Sequence, residues 1–228
     1  MSLSGALSNA ISGLTAASRS AGVVSSNLAN VMTEGYARRD VELEAQIARG
    51  GGVSVVSTVR FRDPMILSEM RTATADRSAS ASLAGFYSKV EQLVGTPDDA
   101  SSLTAKMADL EASLLSAASR PDLSGRLDQV VRDAQTVAQV LATASQGVQD
   151  ARVAADRNIA AGVNELDAKF VQVQELNVQI AGGSVAKRDV SSLIDIREKL
   201  ISEIAEWIPV KEMRRPNQGV ALYSTGGV

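Results

Sequence analysis

Neither cysteine nor histidine occurs in this 228-residue chain. That excludes Cys/His zinc sites, thiol nucleophiles, Ser-His-Asp and Cys-His catalytic sets, histidine-ligated haem and disulfide scaffolds. A cysteine-free chain suits any redox compartment, so composition leaves its location open. Aromatics are scarce at 3%, too few for stacked nucleic-acid platforms. Charge of one sign is lacking too. Lys+Arg number 23 against 26 Asp+Glu, for a net charge of −3, so no global basic field points to nucleic acid or to a membrane surface. No run reaches the ~18 consecutive apolar residues of a membrane-spanning helix. Residues 1–33 carry one charge, Arg19, and have neither the basic start nor the unbroken apolar core of a secretory signal.

What is present is small and aliphatic. Hydrophobic residues are 45%, weighted toward Ala, Val and Leu, which suits closely packed helices. In residues 2–32, Leu7, Leu14, Ala21 and Leu28 recur every seven, and Leu3, Ala10, Ala17, Val24 and Val31 form a second row. This is an a/d heptad seam over four repeats. The opposite face is Ser, Asn and Gly, which are mediocre helix formers. Two readings stay open: a helix docked on its own domain, or a segment that orders only when another helix or subunit covers the seam. Asn30 to Gly35 ends the helix with residues that tolerate left-handed backbone.

Residues 36–62 read as extended, with a turn at Gly50-Gly51-Gly52. The triple glycine lacks the Lys-Ser/Thr of a phosphate loop. Asp63-Pro64 supplies an N-cap and N1 pair for a helix to about residue 95, carrying Ile66, Met70, Ala73, Ala84, Tyr87 and Val94. Thr96-Pro97-Asp98-Asp99 breaks it, with Asp98-Asp99 expected to cap the following helix. Leu103 to Ala118 form that shorter helix, and Ser119-Arg120-Pro121-Asp122 breaks the pattern again.

A long helix is expected from about 122 to 181. Its rows are Leu127, Ala134, Leu141, Val148, Ala155 and Val130, Val137, Ala144, Ala151. After a four-residue stutter they resume at Ile159, Leu166, Val173, Ile180 and Val163, Phe170, Asn177. Asp128–Arg132 and Glu165–Lys169 are favourable i,i+4 pairs, and Gly147 and Gly162 could mark bends. Ala181-Gly182-Gly183-Ser184 closes the helix. A last one spans about 191–208, with Leu193, Leu200, Ile204 and Trp207 inward and Asp195–Lys199 on its outer face. Val210–Met213 and Val220–Tyr223 around Pro216-Asn217-Gln218-Gly219 read as a hairpin. It either docks on the helices or begins a further domain.

The expected fold is mainly α: an elongated antiparallel helical bundle or coiled coil, with a short extended β segment and the start of a β-rich domain. It divides into residues 1–35, an N-terminal axial helix; 36–62, extended; 63–208, the helical bundle; and 209–228, the start of the β-rich part. Nothing points to catalysis or to a cofactor or metal site. Acidic residues are dispersed. Arg38-Arg39 and Arg214-Arg215 read as solvated pairs, Met32, Met65, Met70 and Met107 as core filler, and Trp207 as a packing anchor between helix and hairpin.

One stretch is specific. Ser26-Asn27-Leu28-Ala29-Asn30-Val31-Met32-Thr33-Glu34-Gly35-Tyr36-Ala37-Arg38 resembles the N-terminal signature of bacterial flagellar axial proteins, roughly N-N-I-A-N-x-N-T-x-G-Y-x-R. The motif positions are Asn27, Ala29, Asn30, Thr33, Gly35, Tyr36 and Arg38. Met32 and Glu34 depart from the usual Asn and Pro. The heptads before it and Gly52–Val55 with Val59–Asp63 after it fit the same family. Leu193, Asp195, Arg197, Leu200 and Glu203 are similar to the L-D-x-R-D-x-L-x-x-E-L element of its hook-associated junction members. The resemblance implies a non-enzymatic structural protein, exported through the flagellar type III apparatus with an export chaperone to the cell exterior. There it would join hook to filament beside copies of itself, the hook protein and a second junction protein, with no nucleic-acid or membrane partner. Its assembly seam would be Leu3, Leu7, Leu14, Ala17, Ala21, Val24, Leu28 and Val31. The alternatives are another axial protein of hook or rod type and a helical sensor or ligand-binding module.

Overall fold

The structure, a computed structural model, describes residues 3–46, 51–96 and 98–224. Its elements run α1 (Leu3–Ala29), β1 (Arg39–Ala45), β2 (Val53–Arg60), α2 (Pro64–Val94), α3 (Leu103–Ser119), α4 (Ser124–Val185), α5 (Ser191–Ala205), β3 (Val210–Arg214) and β4 (Val220–Ser224). The mainly α expectation holds, with two separate antiparallel strand pairs. No helix among the described residues is long and apolar enough to cross a membrane. The chain forms two compact units, one of residues 1–77 with 165–228 and one of residues 78–164.

In the first unit, the end of α4, α5 and the β3–β4 hairpin share a core. Val173, Ile201, Ile204, Ala205, Val210 and Val220 are buried together, and Ile180, Val190 and Ile194 form a second cluster beside them. The hairpin therefore docks on helices, as one of the two readings held. Its tight connection places Asn217 and Gln218 in the left-handed region at φ 55° and 60°. Trp207 is not the anchor expected there. It is 46% exposed, because the turn after α5 carries it outward and the smaller Ala205 and Val210 fill the junction. Strands β1 and β2 pair from Arg39↔Arg60 to Ala45↔Val53, with an irregularity at Glu42/Leu43. Gly51 and Gly52 have φ of +108° and +95°, and a Cβ on either would meet Asn9 or Ser12 of α1. The glycines thus form the turn expected of them; Gly50, Pro97 and residues 225–228 lie outside the described residues.

Helix α2 begins at Pro64, with Asp63 Oδ1 accepting from the Met65 and Ile66 amides. Its inward residues in the first unit are Leu67, Arg71 and Ala75, one position off the Ile66 and Met70 row. Met32, Met65, Met70 and Met107 are all more than half exposed, so none fills a core; each sits on a helix or turn face that no described element covers. Helix α4 continues through Gly182 and Gly183 to Val185 rather than closing at 181. A Cβ on Gly183 would stand 2.4 Å from Val190 Cγ1, so this glycine allows α4 to meet the start of α5. The turn itself is made by Lys187 at φ 53°.

In the second unit, Ser102 rather than Asp98-Asp99 caps α3, accepting from the Ala105 amide. Asp99 instead accepts from the Ser101 amide and hydroxyl, closing the turn before the cap. α4 runs unbroken through Gly147 and Gly162, and a Cβ on Gly147 would strike Leu93 at 2.4 Å. Of the two expected rows, Val130, Val137, Ala144 and Ala151 point inward and Leu127 and Leu141 outward. Arg132 bonds Gln129 at 2.7 Å, where Asp128 was the expected partner.

Candidate assembly site

Helix α1 has two faces, and their roles are the reverse of what hydrophobicity suggests. The polar side docks. Ser12 Oγ accepts from the Val53 amide at 3.1 Å, Ala16 is buried, and Asn27 bonds the backbone of β1. The apolar rows face solvent. Leu3, Leu7, Leu14, Ala17, Ala21, Val24, Leu28 and Val31 are all exposed, with Leu14 at 73% and Leu28 at 75%. A monomer covering its leucines with a second helix would show the opposite arrangement. The helix is docked on its own unit, the first of the two readings left by the sequence, and it is formed with its seam uncovered, whereas the second reading had it ordering only under another helix or subunit.

The turn after α1 explains the motif residue by residue. Asn27 Oδ1 accepts from the Tyr36 hydroxyl at 2.9 Å and the Arg39 amide at 3.0 Å, while its Nδ2 donates to the Arg39 carbonyl at 2.8 Å. One side chain thus satisfies both backbone groups of Arg39. Asn30 Nδ2 donates to the Ser26 carbonyl, and Thr33 Oγ1 donates to Asn30 Oδ1. Gly35 adopts φ +81° and its absent Cβ lies 3.2 Å from Lys199 Cβ; its carbonyl accepts from Arg62 at 2.6 Å. The Arg38 and Arg39 guanidinium groups lie over the Phe61 and Tyr36 rings at 4.6 and 4.9 Å. Ala29 is exposed beside Leu28 and makes no part of the turn.

The two sequence motifs, more than 150 residues apart, meet in one charged cluster. Asp195 on α5 accepts from the Ala37 amide at 3.3 Å, pairs with Arg39 at 2.5 Å and pairs with Arg60. Glu198 receives Arg60 at 3.0 Å and Arg62 at 3.4 Å. Arg71 joins Glu212 at 2.8 Å and the Glu198 carbonyl at 3.1 Å. This corrects two expectations. Asp195 is a buried acceptor rather than an outer-face partner of Lys199, and Arg39 is held under the turn rather than solvated, because β1 and β2 bring arginines across α5. Of the other helix-motif residues, Arg197 donates to Asn177 Oδ1 and the Gln218 carbonyl. Glu203 takes Lys169 at 2.5 Å. Leu193 and Leu200 pack against the two cores.

The electrostatics follow the partners. Burial alone would lower the Arg60 pKa, but its bonds to Glu198 and Asp195 outweigh that and raise it. Arg197 goes the other way: burial leads and lowers its pKa against the opposing charges of Glu212 and Glu198, with Arg60 and Arg71 adding to the lowering. Lys169 is raised by its bond to Glu203 and then, against slight burial, by Glu165. Arginines engage both Asp195 and Glu198, so the cluster works as a clamp that fixes the α1 turn and β1–β2 onto α5. Sequence reading missed Arg60, Arg62, Arg71 and Glu198. Arg60 and Arg62 lie in the Val59–Asp63 stretch that resembles the family, but nothing local to Arg71 or Glu198 signalled the cluster.

Residues 87–228 match the family described as flagellar hook-associated protein FlgK helical domain, and residues 7–36 match the flagella basal body rod protein family. The second match coincides with α1 and its turn. The chain is 25% identical to flagellar hook-associated protein 1 of Escherichia coli strain K12 over 92% of its length and 40% of that protein. It is 26% identical to the protein of that name from Salmonella typhimurium, over 92% and 39%. For the one from Bacillus subtilis the figures are 24%, over 94% and 45%. The chain thus spans less than half the length of these curated relatives.

Proposed function

The chain belongs to the flagellar hook-associated protein FlgK family, and from that membership we propose that it is a structural, non-catalytic part of the junction between flagellar hook and filament. It is exported to the cell exterior through the flagellar type III apparatus with the help of an export chaperone. There it packs beside copies of itself, the hook protein and a second junction protein. The observation that carries this reading is the open apolar seam of α1, set on a helix whose other face is already docked.

Magnitudes favour assembly with several neighbours. Fully burying one leucine contributes about 2 kcal/mol, so the four seam leucines give gross stabilisation on the order of 10 kcal/mol. Association costs roughly 4–15 kcal/mol in lost freedom. A single helix-to-helix contact is therefore marginal, whereas repeated heterologous contacts around an axis are cooperative. The test is to delete the gene. Cells should still build hooks but carry no attached filaments, and filament protein should collect in the medium. Deletion cells that swim with ordinary filaments would overturn the proposal.

A further inference from the structure

The first unit has two apolar cores, and residues 3–62 enter neither. Val173, Ile201, Ile204, Ala205, Val210 and Val220 form one, and Ile180, Val190 and Ile194 the other. Among the described residues before α2, the buried apolar side chains are Ala16 and Ala37 alone. Two methyl groups remove too little surface from water to hold a helix and two strands in place. What ties α1, β1 and β2 to α5 is charge.

The ties converge on two carboxylates. Asp195 accepts from the Ala37 amide at 3.3 Å, Arg39 at 2.5 Å and Arg60. Glu198 takes Arg60 at 3.0 Å and Arg62 at 3.4 Å. Arg39 also donates to the Ser192 hydroxyl at 3.3 Å. Two further pairs, Arg19–Asp189 at 3.4 Å and Glu34–Lys199 at 3.8 Å, lie in solvent and contribute little. The side chains of Arg39, Arg60, Asp195 and Glu198 are only 11–14% exposed. Such a group holds only while both signs are present. Removing one sign leaves the other buried without compensation, and water is then its better environment.

Within residues 3–62 a second set of ties does not involve α5. Ser12 Oγ accepts from the Val53 amide, and Asn27 accepts from the Tyr36 hydroxyl and the Arg39 amide. Arg62 donates to the Gly35 carbonyl, and Arg38 lies over the Phe61 ring. The segment joins α2 through residues 61–63, which belong to neither strand nor helix. It has its own internal bonds, one short link and an ionic catch.

We propose that residues 3–62 are a movable strap, caught on α5 by Asp195 and Glu198, and that neutralising this catch releases the strap as one piece while the core of α4, α5 and the β3–β4 hairpin stays folded. Helix α1 rides on the strap, so the two carboxylates set the direction in which its apolar rows are presented. The strap does not depend on the junction reading and stands or falls separately from it.

Pulsed electron paramagnetic resonance on the 228-residue chain decides it, because a chain without cysteine takes spin labels only where cysteines are introduced. Labels on Glu44→Cys/Glu206→Cys, both exposed positions, should give one narrow distance with the catch intact. Asp195→Asn/Glu198→Gln should lose that distance for a longer and broader distribution. Glu198→Gln alone, which leaves Arg39 and Arg60 on Asp195, should lose it in only part of the population. A pair within the strap, Ser8→Cys/Glu44→Cys, should keep its distance in both variants. Hydrogen exchange read alongside should leave the Ile201 and Ile204 amides protected to within about tenfold of the parent chain. An unmoved distance between positions 44 and 206 in the double variant, a lengthened one between 8 and 44, or loss of protection at Ile201 and Ile204 together with the separation would overturn the proposal.

Discussion

Asp195 accepts from three separate places, the Ala37 amide, Arg39 and Arg60, so its loss leaves the nearly buried Arg39 guanidinium without a carboxylate and Arg60 with Glu198 alone. Asp195→Asn should destabilise the chain by about 3 kcal/mol, read as a lower midpoint in urea. Asp122→Asn, which removes only an exposed pair with Arg120, should leave the midpoint unmoved. Single residues also set the pH limits. Lys169 has its pKa raised by Glu203 from the ordinary 10.5, so its contribution is complete below that value and is lost as pH climbs through the raised one. Asp189 is the mirror case. Burial pushes it up, but Ser191 and the charges of Arg39 and Arg19 outweigh that and hold it below 3.8. Its contribution is present above 3.8 and is lost as pH falls through the lowered value. Lys169→Met should therefore flatten the alkaline limb of a stability profile and Asp189→Asn the acid limb; a profile unchanged by either substitution would contradict these assignments.

At the scale of the element, the α4–α5 corner provides an adjacent pair of opposite sign. Gly182 lies in a helix with nothing within 4 Å of where a Cβ would be, while a Cβ on Gly183 would meet Val190 at 2.4 Å. Gly182→Ala should stabilise by about 0.5–1 kcal/mol through helix propensity. Gly183→Ala should destabilise by about 1–3 kcal/mol through overpacking. Thermal melts of the two variants that shift in the same direction would sink this account of the corner. The same corner shows what sequence can and cannot convey. Periodicity located every helix, since the i, i+3, i+4 rows and signals such as Asp63-Pro64 are local. It placed the end of α4 too early, because two glycines read as a terminator unless the opposing Val190 is known. It found the seam of α1 but not its outward direction, which depends on Asn9, Ser12 and Asn27 meeting glycines and strands further along the chain. The clamp stayed hidden for the same reason. Asp195 and Glu198 occupy what a helical wheel marks as a solvated face, and their arginines come from residues 39–71.

For the molecule as a whole, the clamp and the seam form a division of labour. Arg39, Arg60 and Arg62 hold the turn after α1 against α5, and Asn27 holds the helix to the turn, so the apolar row is offered outward on an anchored base. Loss of the seam should therefore be harmless to the isolated chain and fatal to assembly. Leu14→Asp/Leu28→Asp in the full-length protein tests that most directly, with melting of the purified protein read beside filament attachment in cells where it is the sole copy. The account predicts a melting temperature within a few degrees of the unsubstituted protein and hooks without attached filaments. Normal filament attachment, or a melting temperature lower by more than about 10 °C, would contradict it.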